Sequence, residues 1–226
     1  MLFLKHMTNK TALVIGATGL VGEETLKQLL QSADYTNVIA LTRKPIDLKN
    51  AKLENQVVDF DKPEQYNTIK ADDVFCAMGT TIGKAGSQAA FKKVDFEIPL
   101  KVAEFALKNG ATKFILVSSL GANARSGVFY SRTKGELEEA LMKLKYKSLI
   151  ILRPSILLGD RKEHRPGEEI GRFVAEKLPF LFSGPLAKYK GTPVGLLAGV
   201  MIKLANDNEP GVRIVENEEI FAAAGK

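Results

Sequence analysis

The 226-residue sequence predicts an α/β fold in which a doubly wound parallel sheet carries helices on both faces, with a small C-terminal lobe. Short apolar runs without strict polar alternation recur along the chain, as is typical of strands covered on both faces. Segments with apolar residues at helical spacing separate these runs. Such alternation of strands and helices indicates a parallel sheet.

The elements follow in chain order. The apolar runs that predict strands are Thr11–Gly16, Val38–Thr42, Val57–Phe60, Asp73–Ala77, Phe114–Ser118, Leu149–Leu152 and Val212–Val215. Helical periodicity predicts helices at Leu20–Leu30, Gln88–Asn109, Phe129–Leu144 and Gly191–Ala205. Gly110 falls where a helix C-cap is expected, and Pro99 is expected to kink or break the second helix. We expect one domain over residues 1–226, with a core at 10–152 and with a small lobe, a last strand and a helix at 153–226.

Composition and charge argue against several classes of protein. The chain has 32 basic and 26 acidic residues, and its net charge of +6 is spread without the clustered stripe that a nucleic-acid surface needs. The apolar N-terminal run is too short for a signal peptide, and Val194–Val200 is far shorter than the ~20 residues that span a bilayer. We therefore expect no nucleic-acid partner, no integral membrane association and, by default, a cytoplasmic location.

Cysteine and histidine usage argues against a metal site. The only cysteine, Cys76, excludes an internal disulfide and fits a reducing compartment. Within an apolar strand, Cys76 is expected to be a small buried hydrophobic residue rather than a reactive thiol. His6 and His164 are far apart in sequence, so we predict no metal. His164, beside Arg165, is either a substrate contact or a solvated loop residue.

A glycine pattern follows the first predicted strand and opens the first helix. In dinucleotide-binding proteins the first glycine of this spacing permits a tight turn, the second lets the backbone approach a pyrophosphate, and the third lets helix and sheet pack closely. The phosphates are then held at the helix N-terminus. The strand–turn–helix context predicts a Rossmann-type nicotinamide dinucleotide site. The residues assigned to it here are Gly16, Thr18, Gly19, Leu20, Val21 and Gly22.

The residues after the second strand favour NADP(H) over NAD(H). NAD-specific sites use an acid there to hold the ribose hydroxyls, whereas cations accommodate the 2′-phosphate. This chain has Arg43 and Lys44, with no acid before Asp47. Asp59, which closes the predicted third strand, either accepts a hydrogen bond from the adenine amino group or caps the segment that follows.

Tyr130 and Lys134 stand four residues apart on a predicted helix and so share one face. A nearby cation favours the anionic form of a phenol, which can then exchange a proton with a carbonyl or alcohol while hydride moves to or from a nicotinamide. Tyr66 and Lys70 have the same spacing but follow no strand that ends in hydroxyl residues. Tyr130 opens the helix after Ser118 and Ser119, at the sheet edge where open α/β folds bind ligands.

Three motifs together resemble the short-chain dehydrogenase/reductase family: Gly16–Gly22, Val117-Ser118-Ser119 and Tyr130-x-x-x-Lys134. Arg153-Pro154, Leu157-Leu158 and Arg165-Pro166-Gly167-Glu168 are similar to the atypical branch of Tat-interacting-protein-like NADP-binding proteins and their bacterial relatives. The resemblance extends over nearly the whole chain. It implies a Rossmann fold and NADP(H).

The resemblance also implies residue roles. Ser119 would orient the carbonyl, with Ser118 as the alternative, Tyr130 would exchange the proton, and Lys134 would tune Tyr130 and bind the nicotinamide ribose. Its cofactor contacts would be Arg43 and Lys44 at the 2′-phosphate, Ala77, Met78 and Gly79 beside the adenosine ribose, and Leu157 and Arg165 at the nicotinamide end. Asp95 stands where many members use an asparagine in a water relay, which puts an efficient relay in doubt.

These features predict an NADP(H)-dependent oxidoreductase acting on a small carbonyl or alcohol, as a monomer or homodimer. The alternative is a regulatory or interaction protein that binds NADP(H) without significant turnover, favoured by the small C-terminal lobe and Asp95. A sugar-nucleotide isomerase would need a larger lobe. The glycine-rich segment Gly79–Gly86 either covers the cofactor or is a surface loop.

Overall fold

The structure is a computed structural model that describes residues 9–159, 189–207 and 209–225. Its strands are β1 (Lys10–Ile15), β2 (Tyr35–Thr42), β3 (Leu53–Val57), β4 (Asp73–Cys76), β5 (Lys113–Val117), β6 (Ser148–Arg153), β7 (Leu157–Leu158), β8 (Thr192–Pro193) and β9 (Gly211–Glu216). Its helices are α1 (Leu20–Gln31), α2 (Ile82–Ala85), α3 (Gln88–Lys92), α4 (Ile98–Lys108), α5 (Phe129–Lys143), α6 (Val194–Asn206) and α7 (Asn217–Ala223).

Seven strands form one parallel sheet in the order β3-β2-β1-β4-β5-β6-β9. The chain winds outward from β1 to β3 and then returns to β4, on the other side of β1. The carboxyl ends of β1 and β4 therefore flank the point where strand order reverses, which is where open α/β sheets bind ligands. This confirms the predicted doubly wound parallel sheet.

Alternate residues of β1 show that the sheet is covered on both faces. Ala12 and Val14 belong to a core with buried residues of α1 and α6, whereas Leu13 and Ile15 belong to a second core with residues of α4 and α5. All four side chains are buried. An apolar run without alternation is therefore required here, because each side of the strand faces a layer of helices.

The third strand lies earlier than predicted. We expected Val57–Phe60, but β3 covers Leu53–Val57, in which three polar residues stand between Leu53 and Val57. It is an edge strand with half-exposed residues, so it lacks the buried apolar run that identifies the central strands. Asp59 consequently follows the strand instead of closing it. Its Oδ1 accepts a hydrogen bond from the Asp61 amide at 3.0 Å, within the turn that follows the strand.

The predicted helix Gln88–Asn109 is interrupted by a wide turn. Its α-helical parts are joined by a π-helical turn over Lys93–Glu97. Pro99, directly beyond this turn, has no N–H to continue the regular ladder, and the Ile98 N–H bonds the Lys93 carbonyl instead. Proline thus widens the helix without breaking it, and the widened turn carries Asp95. As predicted, Gly110 follows the helix end, with a φ of +104°.

Of the C-terminal strands, β9 joins the main sheet, whereas β8 pairs with β7 in a separate two-stranded sheet. The helix predicted at Gly191–Ala205 begins later, at Val194, because Thr192 and Pro193 pair with Leu157 and Leu158 as extended backbone. The last strand, predicted at Val212–Val215, is β9, and it pairs with β6. Residues 160–188, which include much of the expected lobe, lie outside the described residues, so the division at residue 153 stays a prediction.

Cys76 ends β4 in the second core and is fully buried. Burial raises the pKa of the Cys76 thiol to about 11. It is therefore a packing residue, as expected. In the described part of the chain, no group of histidine, cysteine and carboxylate residues could hold a metal ion. No helix there combines the length and apolar character needed to cross a bilayer.

Candidate active site

The glycine loop joins β1 to α1 at the point where strand order reverses. Gly16 has a φ of +83°, and a Cβ there would lie 2.6 Å from the Ala77 backbone that follows β4. A Cβ on Gly22 would lie 2.0 Å from the Gly16 carbonyl oxygen. Both glycines are thus required by close backbone approach, although Gly22 packs against the loop itself and not only against the sheet.

The start of α1 has no side-chain cap among the residues that the structure describes. Gly19 is the N-cap residue, and no side chain bonds the amides of the first turn. Thr18 and Gly19 are exposed, Leu20 is half-buried, and Val21 is buried in the first core. A phosphate group bound here would be held by the backbone and the helix dipole. Val21 could contribute only through its backbone.

The hydroxyl groups of Ser118 and Ser119, directly after β5, differ in their hydrogen bonding. The Ser118 hydroxyl donates a hydrogen bond to the buried Glu138 carboxylate on α5. Glu138 also accepts a hydrogen bond of 3.1 Å from Nε of Arg153. The Ser119 hydroxyl is buried and has no hydrogen-bond partner in the part of the chain that the structure describes. Ser118 is therefore engaged by the protein, whereas Ser119 is available to a ligand.

Lys134 forms a buried ion pair with Asp95. Lys134 Nζ lies 2.7 Å from Asp95 Oδ1, and the exposed fractions of the two side chains are 6% and 0%. The other carboxylate oxygen, Oδ2, accepts a hydrogen bond of 2.8 Å from the Thr80 amide. A Cβ on Gly79 would lie 3.2 Å from Asp95 Oδ1 and 3.4 Å from Lys134 Nζ. The pair therefore connects α5, the π-helical turn and the segment after β4.

Tyr130 stands one turn before Lys134 on α5. It is half-buried, and its ring packs against the buried ring of Phe91 with centroids 5.7 Å apart. Burial lowers the pKa of Lys134, but the Asp95 carboxylate and the Tyr130 phenol raise it by more, so this pKa lies above its ordinary value. Lys134 is therefore a permanent cation beside Tyr130, and Asp95 offsets part of its field.

The remaining predicted cofactor residues are distributed along the same sheet edge. Ala77 and Met78 directly follow β4, and Arg43 and Lys44 are exposed directly after β2. Leu157 in β7 is half-buried. The chain passes close to the start of α1 two residues later, because a Cβ on Gly159 would lie 3.3 Å from the Leu20 side chain. Asp59 is exposed and engaged in its own turn, and Arg165 and His164 lie outside the described residues.

Tyr66, which has the same spacing to Lys70 as Tyr130 has to Lys134, is a structural residue. Tyr66 is buried, and its hydroxyl donates to the Phe60 carbonyl at 3.1 Å. Sequence reasoning missed Glu138. Its signal was available: Tyr130, Lys134 and Glu138 recur every four residues and therefore share one helix face. A carboxylate on that face next to an arginine at the end of the following strand indicates a buried pair.

The fold and this geometry define a nicotinamide-dinucleotide-binding α/β protein. Residues 16–164 match the family described as NAD(P)H-binding, and the chain belongs to that family. Among its relatives, HTATIP2 of Rattus norvegicus is 35% identical over 223 residues, covering 95% of this chain and 89% of that protein. The mitochondrial protein FMP52 of Candida glabrata is 36% identical over 229 residues, covering 95% and 96%. The predicted resemblance to the atypical short-chain dehydrogenase/reductases is thereby confirmed.

Solved structures share the fold. Bordetella bronchiseptica WbmF in complex with NAD⁺ has a TM-score of 0.69 at 17% identity, covering 97% of this chain and 77% of that one. A short-chain dehydrogenase family protein from Francisella tularensis has a TM-score of 0.66 at 13% identity, covering 94% and 99%. At these identities the likeness extends to the fold alone.

The expected cytoplasmic location is wrong. Several FMP52 relatives, among them those of Candida glabrata and Candida albicans, are named mitochondrial. Our expectation rested on the absence of a recognisable targeting segment, and composition alone does not determine the compartment.

The Gly16–Gly22 contact yields a first prediction. Gly22→Ala places a methyl group against the Gly16 carbonyl and should lower the free energy of unfolding by about 1–3 kcal/mol, as overpacking does. It should also weaken NADPH binding, because the loop must shift.

Gly199→Ala is the matched control, since among the described residues its Cβ would meet only the Gln28 side chain, at 3.4 Å. It should be neutral or stabilise α6 by up to about 1 kcal/mol. Chemical denaturation and calorimetric titration measure both effects, and equal behaviour of the two variants would contradict the steric argument.

Proposed function

We propose that the protein is an NADP(H)-dependent oxidoreductase that interconverts a small carbonyl compound and its alcohol. The observation that carries the proposal is the buried hydroxyl of Ser119, which has no hydrogen-bond partner among the described residues and lies at the sheet edge that also presents Tyr130 and Lys134. Buried hydroxyls normally have a partner, and an exception needs an explanation. A substrate oxygen bound at this position is the explanation that we favour.

The residues present fit a dinucleotide. Gly16 and Gly22 leave no room for a Cβ, and the first turn of α1 keeps its amides free of side-chain caps. The exposed cations Arg43 and Lys44 favour the 2′-phosphate of NADP(H) over the unsubstituted ribose of NAD(H). When bound, the cofactor supplies or accepts the hydride.

The chain's own residues would manage the proton and the substrate oxygen. Tyr130 Oη gives a proton to the oxygen during reduction and takes one during oxidation. Lys134 places a positive charge one helical turn from Tyr130, and Asp95 keeps the ammonium fixed in place. The Ser119 hydroxyl donates to the substrate oxygen. The Ser118 hydroxyl already donates its hydrogen bond to Glu138, so we assign this role to Ser119 and not to Ser118.

A second candidate function is supported by the Lys134–Asp95 pair. Because Asp95 already offsets the charge of Lys134, the chain could bind NADP(H) as a regulatory or structural ligand with little turnover. NADPH oxidation measured across a panel of aldehydes and ketones separates the two functions. Tight binding with no oxidation across the panel would favour the regulatory function.

Tyr130→Phe tests the proton donor. The variant keeps the ring packing on Phe91 but loses the hydroxyl, so turnover with any active carbonyl of the panel should fall by about 10²–10⁴-fold. NADPH affinity should be nearly unchanged. Tyr66→Phe is the control, because Tyr66 has the same spacing to a lysine but bonds only backbone. Full activity in Tyr130→Phe would refute the assignment, and a comparable loss in Tyr66→Phe would show that the effect is structural.

The two serines provide an internal comparison. Ser119→Ala removes the free hydroxyl and should lower kcat by about 10²–10³-fold, the cost of losing one donor to a developing oxyanion. Ser118→Ala leaves Glu138 bound to Arg153 and should mainly lower stability, by about 1 kcal/mol for one hydrogen bond. Steady-state kinetics and thermal denaturation of both variants measure this. The reverse order of the kinetic effects would assign the role to Ser118.

A further inference from the structure

Asn55 on β3 closes the backbone bend that follows β2. Its side-chain amide donates hydrogen bonds to the Ala40 carbonyl at 3.0 Å and to Oγ1 of Thr42 at 2.8 Å, while its oxygen accepts one from the Ile46 amide at 2.8 Å. Thr42 is the last residue of β2, and Ile46 lies beyond the bend. One side chain on the neighbouring strand thus bonds to both Thr42 and Ile46, the two residues at the ends of the bend.

The bend is constrained at other points as well. The Val58 amide donates to the Thr42 carbonyl at 2.8 Å, which fixes the end of β2 to the residue after β3. Pro45 fixes its own φ and disfavours helical backbone at Lys44. The Ile46 side chain packs against the first core. Within this constrained segment, Asn55 is the side chain that joins both ends.

The bend carries two exposed cations. Arg43 and Lys44 are exposed, and neither forms an ion pair within residues 9–159, 189–207 and 209–225. In an unconstrained loop such side chains would lose backbone and side-chain entropy when they met an anion. A bend that is already closed reduces this loss and favours binding of the anion.

We infer that Asn55 is a positioning residue for dinucleotide choice: it holds the Arg43–Lys44 bend in the form that receives the 2′-phosphate of NADP(H). The inference rests on the proposed cofactor preference. Asn55 itself makes no contact with the phosphate in this account. It acts through the backbone of the bend, so its removal affects NADPH, which has the 2′-phosphate, and not NADH, which lacks it.

Isothermal titration of the full chain with NADPH and with NADH tests this at one fixed ionic strength, since salt screens contacts between cations and phosphate. Wild type should bind NADPH the more tightly. Asn55→Ala should raise the Kd for NADPH by about three- to tenfold, equivalent to the loss of one or two neutral hydrogen bonds. The Kd for NADH should stay nearly constant, so the ratio of the two constants falls.

Asn109→Ala is the matched control. Asn109 also clamps a loop through its side-chain amide, donating to the Asn67 carbonyl at 2.7 Å and the Ile69 carbonyl at 3.0 Å. It lies at the end of α4, at the opposite edge of the sheet from the bend. Its loss should lower stability without changing the ratio of the Kd values for NADPH and NADH. A general structural effect would leave this ratio unchanged.

A double-mutant cycle separates positioning from direct effects. In an Arg43→Ala/Lys44→Ala background, Asn55→Ala should cause no further loss of NADPH affinity, because the groups that it positions are gone. Additive losses, or equal weakening of NADPH and NADH by Asn55→Ala, would overturn the inference while leaving the proposed function intact. Wild type without a preference for NADPH would overturn both the inference and the proposed cofactor.

Discussion

Lys134 and Asp95 form the buried ion pair on which the candidate site depends. Their charged atoms are 2.7 Å apart, and both side chains are almost fully excluded from solvent. Removing one member of a buried pair typically costs about 3–5 kcal/mol, because an uncompensated charge stays behind. The arrangement therefore fixes Lys134 beneath Tyr130. Through the Thr80 amide it also fixes the segment that follows β4.

The pair requires two irregularities of the backbone. Asp95 reaches Lys134 from a π-helical turn next to Pro99, where a wider helix displaces the side chain from its regular position. Gly79 lies against the pair, because a Cβ at this position would lie 3.2 Å from Asp95 Oδ1. Next to it, Gly16 and the Ala77 backbone are in close approach. Local departures from regular geometry thus concentrate where strand order reverses.

Sequence patterns were most informative where one physical requirement dominates. The central strands were identified because both of their faces are buried, and the glycine loop because close backbone approach excludes Cβ atoms. The edge strand β3 was misplaced, since half of it faces solvent and its pattern is weak. The Asp95–Lys134 and Ser118–Glu138 contacts join residues that are distant in sequence, so the spacing along α5 indicates the helix face that Lys134 and Glu138 share but not the partner of either residue. Asp95 in particular was seen only as a departure from a family pattern, whereas the structure gives it a partner.

We propose that NADP(H) binds over the glycine loop and extends from the Arg43–Lys44 bend to the Lys134–Asp95 pair. Amide hydrogen exchange with and without saturating NADPH tests it most directly, because amide protection reports each segment separately. We expect slowed exchange at Gly16–Gly22, at Arg43–Ile46 and at Met78–Thr80, with NADH protecting the first and third segments but not the second. Protection absent from the glycine loop, or confined to segments away from this sheet edge, would contradict the account.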